Sequence, residues 1–314
     1  ILLFTMKIYT SLKEIESLFN FSDNYREEFL EVTEVYPFRI SSYLLSKVKR
    51  FSKEDPIFRQ FFPDIRELDS SGELDPFSEE DTTVSPFLVR RYRDRLLVVT
   101  TNFCYSYCRF CMRKRNWLKP TFFFDDLSLL ENYIRENDEI RDVILSGGDG
   151  LAIGNELLED YLKLLRRLDI PVIRIGSRAL INAPNVVYDK IGILKKYAPI
   201  WINFHINHPV EIDDDVARVA IELAKCGVIM GSQTVLLNSV NDDVDTLSEL
   251  FRKLVCIGIR PYYLFNVDPV SGVDHFRVEL KRAIRIVREL RDRLSGLMIP
   301  HFAVDTRYGK RILP

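Results

Sequence analysis

Three cysteines stand at positions 104, 108 and 111, in the run Thr-Asn-Phe-Cys-Tyr-Ser-Tyr-Cys-Arg-Phe-Cys-Met-Arg-Lys-Arg. Thiolates are soft donors, and a local cluster of them selects iron–sulfur centres or zinc. The form C-x3-C-x2-C suits a [4Fe–4S] cluster, which normally takes four cysteine ligands. A trio leaves one iron open to a small molecule, so such a cluster can do chemistry as well as carry electrons. A structural zinc site needs four ligands, usually in two pairs. Only Cys226 and Cys256 are left for it, and both read as buried, inert thiols at the end of a helical run and in an apolar run. No nearby histidine completes a local quartet. Disulfides do not fit a chain with no secretory signal and the composition of a cytosolic enzyme. A cluster favours a reducing compartment, so a cytoplasmic setting is expected.

The bulk numbers exclude several partners. At 314 residues, 46% hydrophobic and 29% charged, the chain is long enough for one large α/β domain with a small appendage, or for two domains. A net charge of −2 gives no basic footprint for nucleic acid, and Arg113-Lys114-Arg115 is too short a run to change that. No apolar stretch reaches the ~18 residues that a bilayer requires, so no membrane partner is expected. The opening Ile-Leu-Leu-Phe-Thr-Met lacks the basic flank and cleavage site of a leader.

The elements that must position the cysteines alternate along the chain. Residues 7 to about 60 read as helical, with Leu12, Ile15, Leu18 and Phe19 at helical spacing. From about 63 to 88 the chain is acidic and turn-rich, an extended linker. Strands are predicted at 96–100, 142–145, 172–175, 200–206, 228–235, 260–267 and 299–305. Helices are predicted between them at 127–136, 156–168, 188–197, 214–225, 244–256 and 278–293. This alternation implies βα units and a parallel sheet, a partial barrel of about six units rather than eight. The polar residues gather after the strands, where sites form in parallel α/β folds. Two parts are expected: residues 1–85, a helical region with linker, and residues 86–314, the barrel.

Read together, the motifs resemble a known group. Cys104, Cys108 and Cys111, with Phe110 before the third, are similar to the signature of the radical S-adenosylmethionine (SAM) superfamily. Ser146-Gly147-Gly148-Asp149 resembles its glycine motif, whose backbone holds the SAM amino group. The blocks Arg174-Ile-Gly-Ser-Arg178, Asn203-Phe-His-Ile-Asn-His-Pro209, Gly231-Ser-Gln-Thr-Val-Leu-Leu237, Arg260-Pro-Tyr-Tyr263 and Gly272-Val-Asp-His-Phe-Arg277 resemble successive blocks of the lysine 2,3-aminomutase family. The resemblance runs from about residue 86 to the C-terminus. The chain ends four residues past Lys310, which resembles the compact members, including those that supply β-lysine for modifying a translation elongation factor.

The resemblance implies a fold, a partial (β/α)6-type radical SAM barrel with an N-terminal helical extension, and a set of roles. Cys104, Cys108 and Cys111 would ligate the cluster. Ser146, Gly147, Gly148, Asp149 and Gln233 would serve SAM. Lys310 would carry pyridoxal 5′-phosphate (PLP), with Arg91 suited to the phosphate and Tyr92 to the ring. Arg113 would grip the substrate α-carboxylate, for which a planar guanidinium is suited. Asp268 and Asp305 would bind the ε-ammonium of lysine; family enzymes acting on glutamate lack that pair. The loop before Lys310 keeps one glycine, Gly309, where larger aminomutases have more. The implied activity is 2,3-amino migration between L-lysine and β-lysine, supported by a reducing electron donor, with a homo-oligomer left open. Two other readings stay in view. One is a radical SAM enzyme that acts on another amino acid or abstracts hydrogen without PLP. The other is an iron–sulfur electron carrier, against which the glycine motif and the aspartate pair speak.

Overall fold

The computed structural model describes residues 6–313 apart from 20 and 70. The N-terminal region comprises β1 (Ile8–Tyr9), α1 (Leu12–Ile15), α2 (Asp23–Val35), β2 (Ile40–Ser41), α3 (Ser42–Leu45) and α4 (Pro56–Phe61). β3 (Thr83–Ser85), β4 (Leu88–Tyr92) and β5 (Arg95–Thr101) come next. The alternating part then runs α5 (Leu127–Glu136), β6 (Asp142–Gly147), α6 (Asn155–Arg167) and β7 (Val172–Ser177). Three short helices follow, α7 (Ala179–Asn182), α8 (Pro184–Tyr188) and α9 (Ile191–Lys196), before β8 (Ile200–His205) and α10 (Asp214–Lys225). The last elements are β9 (Val228–Leu236), α11 (Val244–Cys256), β10 (Ile259–Asn266), α12 (Leu280–Arg293), β11 (His301–Thr306) and β12 (Gly309–Ile312).

The helices α5, α10 and α11 begin where the sequence predicts because aspartates cap them. Asp126, Asp213 and Asp243 each accept a bond from the amide three residues on, at 3.0, 3.0 and 2.8 Å. The predicted helix 188–197 is broken instead. Pro184 opens α8, Tyr188 closes it, and Lys190 turns inward to Asn155 at 2.8 Å before α9 begins. In the N-terminal region, α1 stops after one turn, and β1 pairs with β2 where helix was expected.

Strands β5 to β11 pair in parallel and in chain order, each joined to the next by a helical crossover. The sheet is extended at both edges by antiparallel strands that sequence reading missed: β4 and β3 on one side, β12 on the other. β3 falls within the predicted linker and already belongs to the sheet. The side chains alternate as the pleat demands. Val143, Leu145, Ile173 and Ile175 are fully buried. On the opposite face, Val89, Leu97, Ile144 and Arg174 lie in one register layer and line a cavity.

The two edges of the split sheet approach each other. The amide of Lys310 on β12 donates to Tyr92 Oη on β4 at 3.1 Å, and a Cβ on Gly309 would sit 3.1 Å from the same oxygen. Gly309 has φ +118°, a backbone state that disfavours any side chain. The N-terminal region is not a separate body. Leu12, Phe29, Phe38, Phe58 and Phe62 belong to the same apolar core as the strands and helices of the barrel. No helix of the described residues is long and apolar enough to cross a membrane.

Candidate active site

Chain direction brings the loops after the parallel strands to one end of the barrel. The loop after β5 carries Cys104, Cys108 and Cys111, which are half-buried and lie within charge reach of one another. Burial raises all three thiols, Cys111 to about 11. No group of three or more His, Cys, Asp or Glu among the described residues surrounds one point closely enough to hold a single metal ion. A [4Fe–4S] cluster sets each thiolate on a different iron, so its sulfurs need not converge on one point. The donor chemistry fits such a cluster. Cys256 is exposed and Cys226 half-buried, contrary to expectation. Cys256 is the last residue of α11, off the face buried through Leu247, Leu250, Phe251 and Leu254.

The N-terminal region grips this loop. The amide of Tyr107 donates to Arg39 O at 2.9 Å, and that of Arg109 to Gln60 O at 2.8 Å. The fully buried Arg109, between the second and third cysteines, is paired with Glu67 at 2.8 Å, and Lys114 reaches the same carboxylate at 2.6 Å. Burial opposes ionisation of Glu67, but the two cations hold its carboxyl below the ordinary range. Glu67→Gln would leave two buried cations facing one amide. It should cost about 3–5 kcal/mol, read from the denaturant midpoint of the cluster-free protein.

The glycine motif at the end of β6 packs on the same loop. A Cβ on Gly148 would lie 2.3 Å from Phe103 O, and one on Gly147 2.3 Å from Thr101 O; Gly147 has φ +120°. Gly148→Ala should therefore push the cysteine loop aside and abolish cluster loading, measured as bound iron and sulfide. Arg113 Nη1 donates to the Gly147 carbonyl at a long 3.5 Å. An acceptor so placed suits an ammonium such as that of SAM. The Asp149 carboxylate is a brace within the fold. It accepts from Leu151 N, Ser177 Oγ and Arg178 N at 2.9, 2.7 and 2.8 Å.

Directly after the third cysteine, Met112 and Arg113 enter a cavity of about 380 Å³. Arg91, Tyr92, Gln233, Asp305 and Lys310 also line it. The Lys310 amine lies over the rings of Tyr263 and Phe265 at 3.9 and 4.3 Å. Burial, countered in part by Asp305, lowers it to about 8, so roughly a tenth to a fifth is neutral near physiological pH, far more than for an ordinary lysine. Arg91 Nε and Nη2 are buried without a hydrogen-bond partner among the described residues, and its Nη1 stands 4.0 Å from Asp305. Arg174, by contrast, is held by Asp142 at 2.8 and 2.7 Å. Unpartnered guanidinium donors and a half-buried amine in one cavity fit PLP, whose phosphate only accepts and whose aldehyde needs a neutral amine. Tyr92 forms the seam to Lys310 as well as lining the cavity. Gln233, expected near SAM, lies in this cavity too.

Asp268 does not line the cavity but lies within charge reach of it. Burial, and then the charge of Asp305, push its carboxyl up to about 7, against the pull of Lys310, Arg113 and Arg277. The neighbouring cations offset the repulsion of the two carboxylates only in part, since Asp268 stays raised, so the pair suits one more cation.

Arg113 has a partner that the sequence did not reveal. Its Nε and Nη2 donate to Glu79 at 3.1 and 2.5 Å, and Arg115 Nη2 reaches the same carboxylate at 2.7 Å. Burial opposes ionisation of Glu79, yet the two guanidiniums hold it down at about 2. The segment read as linker is thus a wall of the cavity, with Phe77, Glu79 and Thr82 lining it. The run Asp75-Pro-Phe-Ser-Glu79, acid and aromatic close together, was the only available signal.

No family model matches the chain. Among curated proteins, it is 40% identical over 313 residues to a protein of Aquifex aeolicus that bears a provisional L-lysine 2,3-aminomutase name, covering 97% of this chain and 84% of the relative. It is 35% identical over 314 residues to L-lysine 2,3-aminomutase of Fusobacterium nucleatum, covering 97% and 74%. It is also 35% identical over 305 residues to glutamate 2,3-aminomutase of Clostridioides difficile, covering 96% and 72%. Among solved structures, SuiB of Streptococcus suis bound to S-adenosylmethionine superposes with TM-score 0.51 at 15% identity, over 68% of this chain and 50% of that one. A radical SAM methyltransferase of Sphaerobacter thermophilus does so with TM-score 0.50 at 16% identity, over 71% and 72%. These structures share the fold.

Proposed function

The chain belongs to the lysine 2,3-aminomutase family, and from that membership we propose that it interconverts L-lysine and β-lysine by 2,3-amino migration, as a radical SAM isomerase using a [4Fe–4S] cluster, SAM and PLP. When bound, these groups supply a reducible centre, a source of a carbon radical and a conjugated ring that spreads an unpaired electron. Overall identity does not choose between lysine and glutamate, since the glutamate-named relative at 35% falls within the 34% to 40% of the lysine-named ones. The site chemistry favours lysine.

The observation that carries the reading is the set of groups around one cavity. A half-buried amine (Lys310), a guanidinium with two unpartnered nitrogens (Arg91), a braced guanidinium (Arg113) and an acidic residue (Asp305) line it, with Asp268 in charge reach. The cavity begins one residue past Cys111. In this reading Cys104, Cys108 and Cys111 hold the cluster, and the Ser146–Gly148 backbone and Gln233 serve SAM. Arg91 takes the PLP phosphate, and Lys310 offers its neutral amine to the aldehyde. Glu79 occupies one edge of Arg113, and the Nη1 side, held only by the long contact to Gly147 O, serves the substrate α-carboxylate. Asp268 and Asp305 neutralise the ε-ammonium. A diamino acid meets an acidic pair at one end and a guanidinium at the other, whereas glutamate would add a carboxylate to two others. The N-terminal region to residue 85 holds the cysteine loop and gives the cavity one wall through Phe77, Glu79 and Thr82, and the barrel from 86 supplies the rest. A one-electron reductant and a cytoplasmic setting belong to the same reading.

The test is anaerobic turnover. Reconstituted protein given L-lysine, SAM, PLP and dithionite should form β-lysine, detected by NMR, and should leave L-glutamate unchanged. Intact cluster with no β-lysine, or turnover of glutamate in preference, would contradict the reading.

A further inference from the structure

Arg178 follows β7 and has no role in the reading above. It is nine-tenths buried, yet it is a cation. Its Nη1 donates to Cys108 Sγ at 2.7 Å. Its Nη2 donates to Gln60 Oε1 at 2.7 Å and Glu211 Oε1 at 3.0 Å. Its backbone amide is fixed by Asp149, and its guanidinium lies over the rings of Phe61 and Phe110 at 4.6 and 5.3 Å. Glu211 is itself pinned. It accepts from Gln60 Nε2 and from the amide of Asn207, each at 2.8 Å, and Asn207 Nδ2 donates to Gln60 Oε1 at 3.0 Å. The network ties α4 of the N-terminal region, the turn after β8 and the cysteine loop to one guanidinium. A buried cation needs one carboxylate; it does not need a sulfur. That one arm is aimed at a thiolate asks for an explanation beyond packing.

We propose that Arg178, held by Gln60 and Glu211, is a positioning residue that acts through Cys108 to raise the reduction potential of the cluster and so favour its loading with an electron. The proposal rests on the cluster being held by Cys104, Cys108 and Cys111. The step is a one-electron reduction. An external low-potential donor, dithionite in the test, is oxidised; [4Fe–4S]2+ becomes [4Fe–4S]1+; no protein group changes oxidation state. The cluster with its thiolates gains one unit of negative charge, which moves partly onto sulfur. A guanidinium hydrogen-bonded to one thiolate stabilises that charge, and hydrogen bonds to sulfur and net charge are what set such potentials. Glu211 acts with the opposite sign, since its negative charge sits one hydrogen bond farther from the sulfur.

The experiment is an EPR-monitored redox titration of the reconstituted holoprotein without SAM, comparing the wild type with Arg178→Gln, Arg178→Lys and Glu211→Gln. Arg178→Gln should lower the potential so that reduction at a fixed dithionite poise is at least about tenfold less complete, equivalent to 59 mV for one electron. Arg178→Lys, which keeps the charge and loses the fork, should fall between. Glu211→Gln should shift the potential upward. Should Arg178→Gln fail to hold a cluster, the direction of the Glu211→Gln shift decides. Potentials that stay put, or that move the same way in the arginine and glutamate variants, would overturn the proposal and show a packing role. A wild type that holds no [4Fe–4S] cluster would instead overturn the assignment of the cysteines, before any variant is compared.

Discussion

Lys310→Ala should lose bound PLP on desalting and should lower lysine turnover by about 10³-fold or more, with bound iron and sulfide unchanged. The reasoning is local. The amine lines the cavity together with Arg91 and Asp305, and burial brings it down to about 8, which raises the fraction of neutral nucleophile available near pH 7. Among the described residues no other lysine lines that cavity. The backbone of Lys310 is fixed through its amide to Tyr92 Oη, so removal of the side chain leaves the seam between β4 and β12 intact. The variant therefore separates loss of chemistry from loss of fold. Retained PLP absorbance in Lys310→Ala would show that another residue carries the group.

Asp268→Asn should raise KM for lysine roughly 100-fold, the scale expected when one partner of a buried charge pair is removed, while PLP and cluster stay bound. The wild type should also show a pH signature. The Asp268 carboxyl is raised to about 7 by burial and by Asp305, with Lys310, Arg113 and Arg277 opposing. Below that pH it is protonated and offers the ε-ammonium no charge; above it, the charge is present. Lysine affinity should thus improve as pH rises, by about tenfold between pH 6 and pH 8. Asp268→Asn should flatten that slope, because the titrating group is gone. A steep slope retained in the variant would assign the titration elsewhere. The sign also bears on substrate choice, because an anionic side chain would bind better as pH falls.

Much of the barrel was legible because period and length separate strand from helix. The aspartate caps at 126, 213 and 243 fixed three helices to the residue. What escaped was whatever depends on distant partners. β3 and β12 are short edge strands, β4 lies next to the edge, and their antiparallel pairing depends on neighbours across a turn. The segment around Glu79 reads as linker because its acids and turn residues are typical of solvent-exposed chain. It is ordered by Arg113 and Arg115, more than thirty residues away in sequence. Glu67, Gln60 and Arg178 escaped for the same reason, since their contacts span 42 residues for Arg109–Glu67 and 118 for Arg178–Gln60. The cysteines, the glycine pair and the residues matched to the family were visible by motif. The arrangement that puts Lys310, Arg91, Arg113 and Asp305 around one space came only from the fold.

The reading turns on PLP and lysine meeting at one amine inside the barrel, and borohydride reduction tests that directly. Reduction of the anaerobic holoenzyme, digestion and peptide mass spectrometry should find the phosphopyridoxyl group on Lys310 when lysine is absent. When lysine is added first, the label should shift to the free amino acid and leave Lys310 unmodified. Label on a different lysine of the chain, or no transfer to added lysine, would contradict the account.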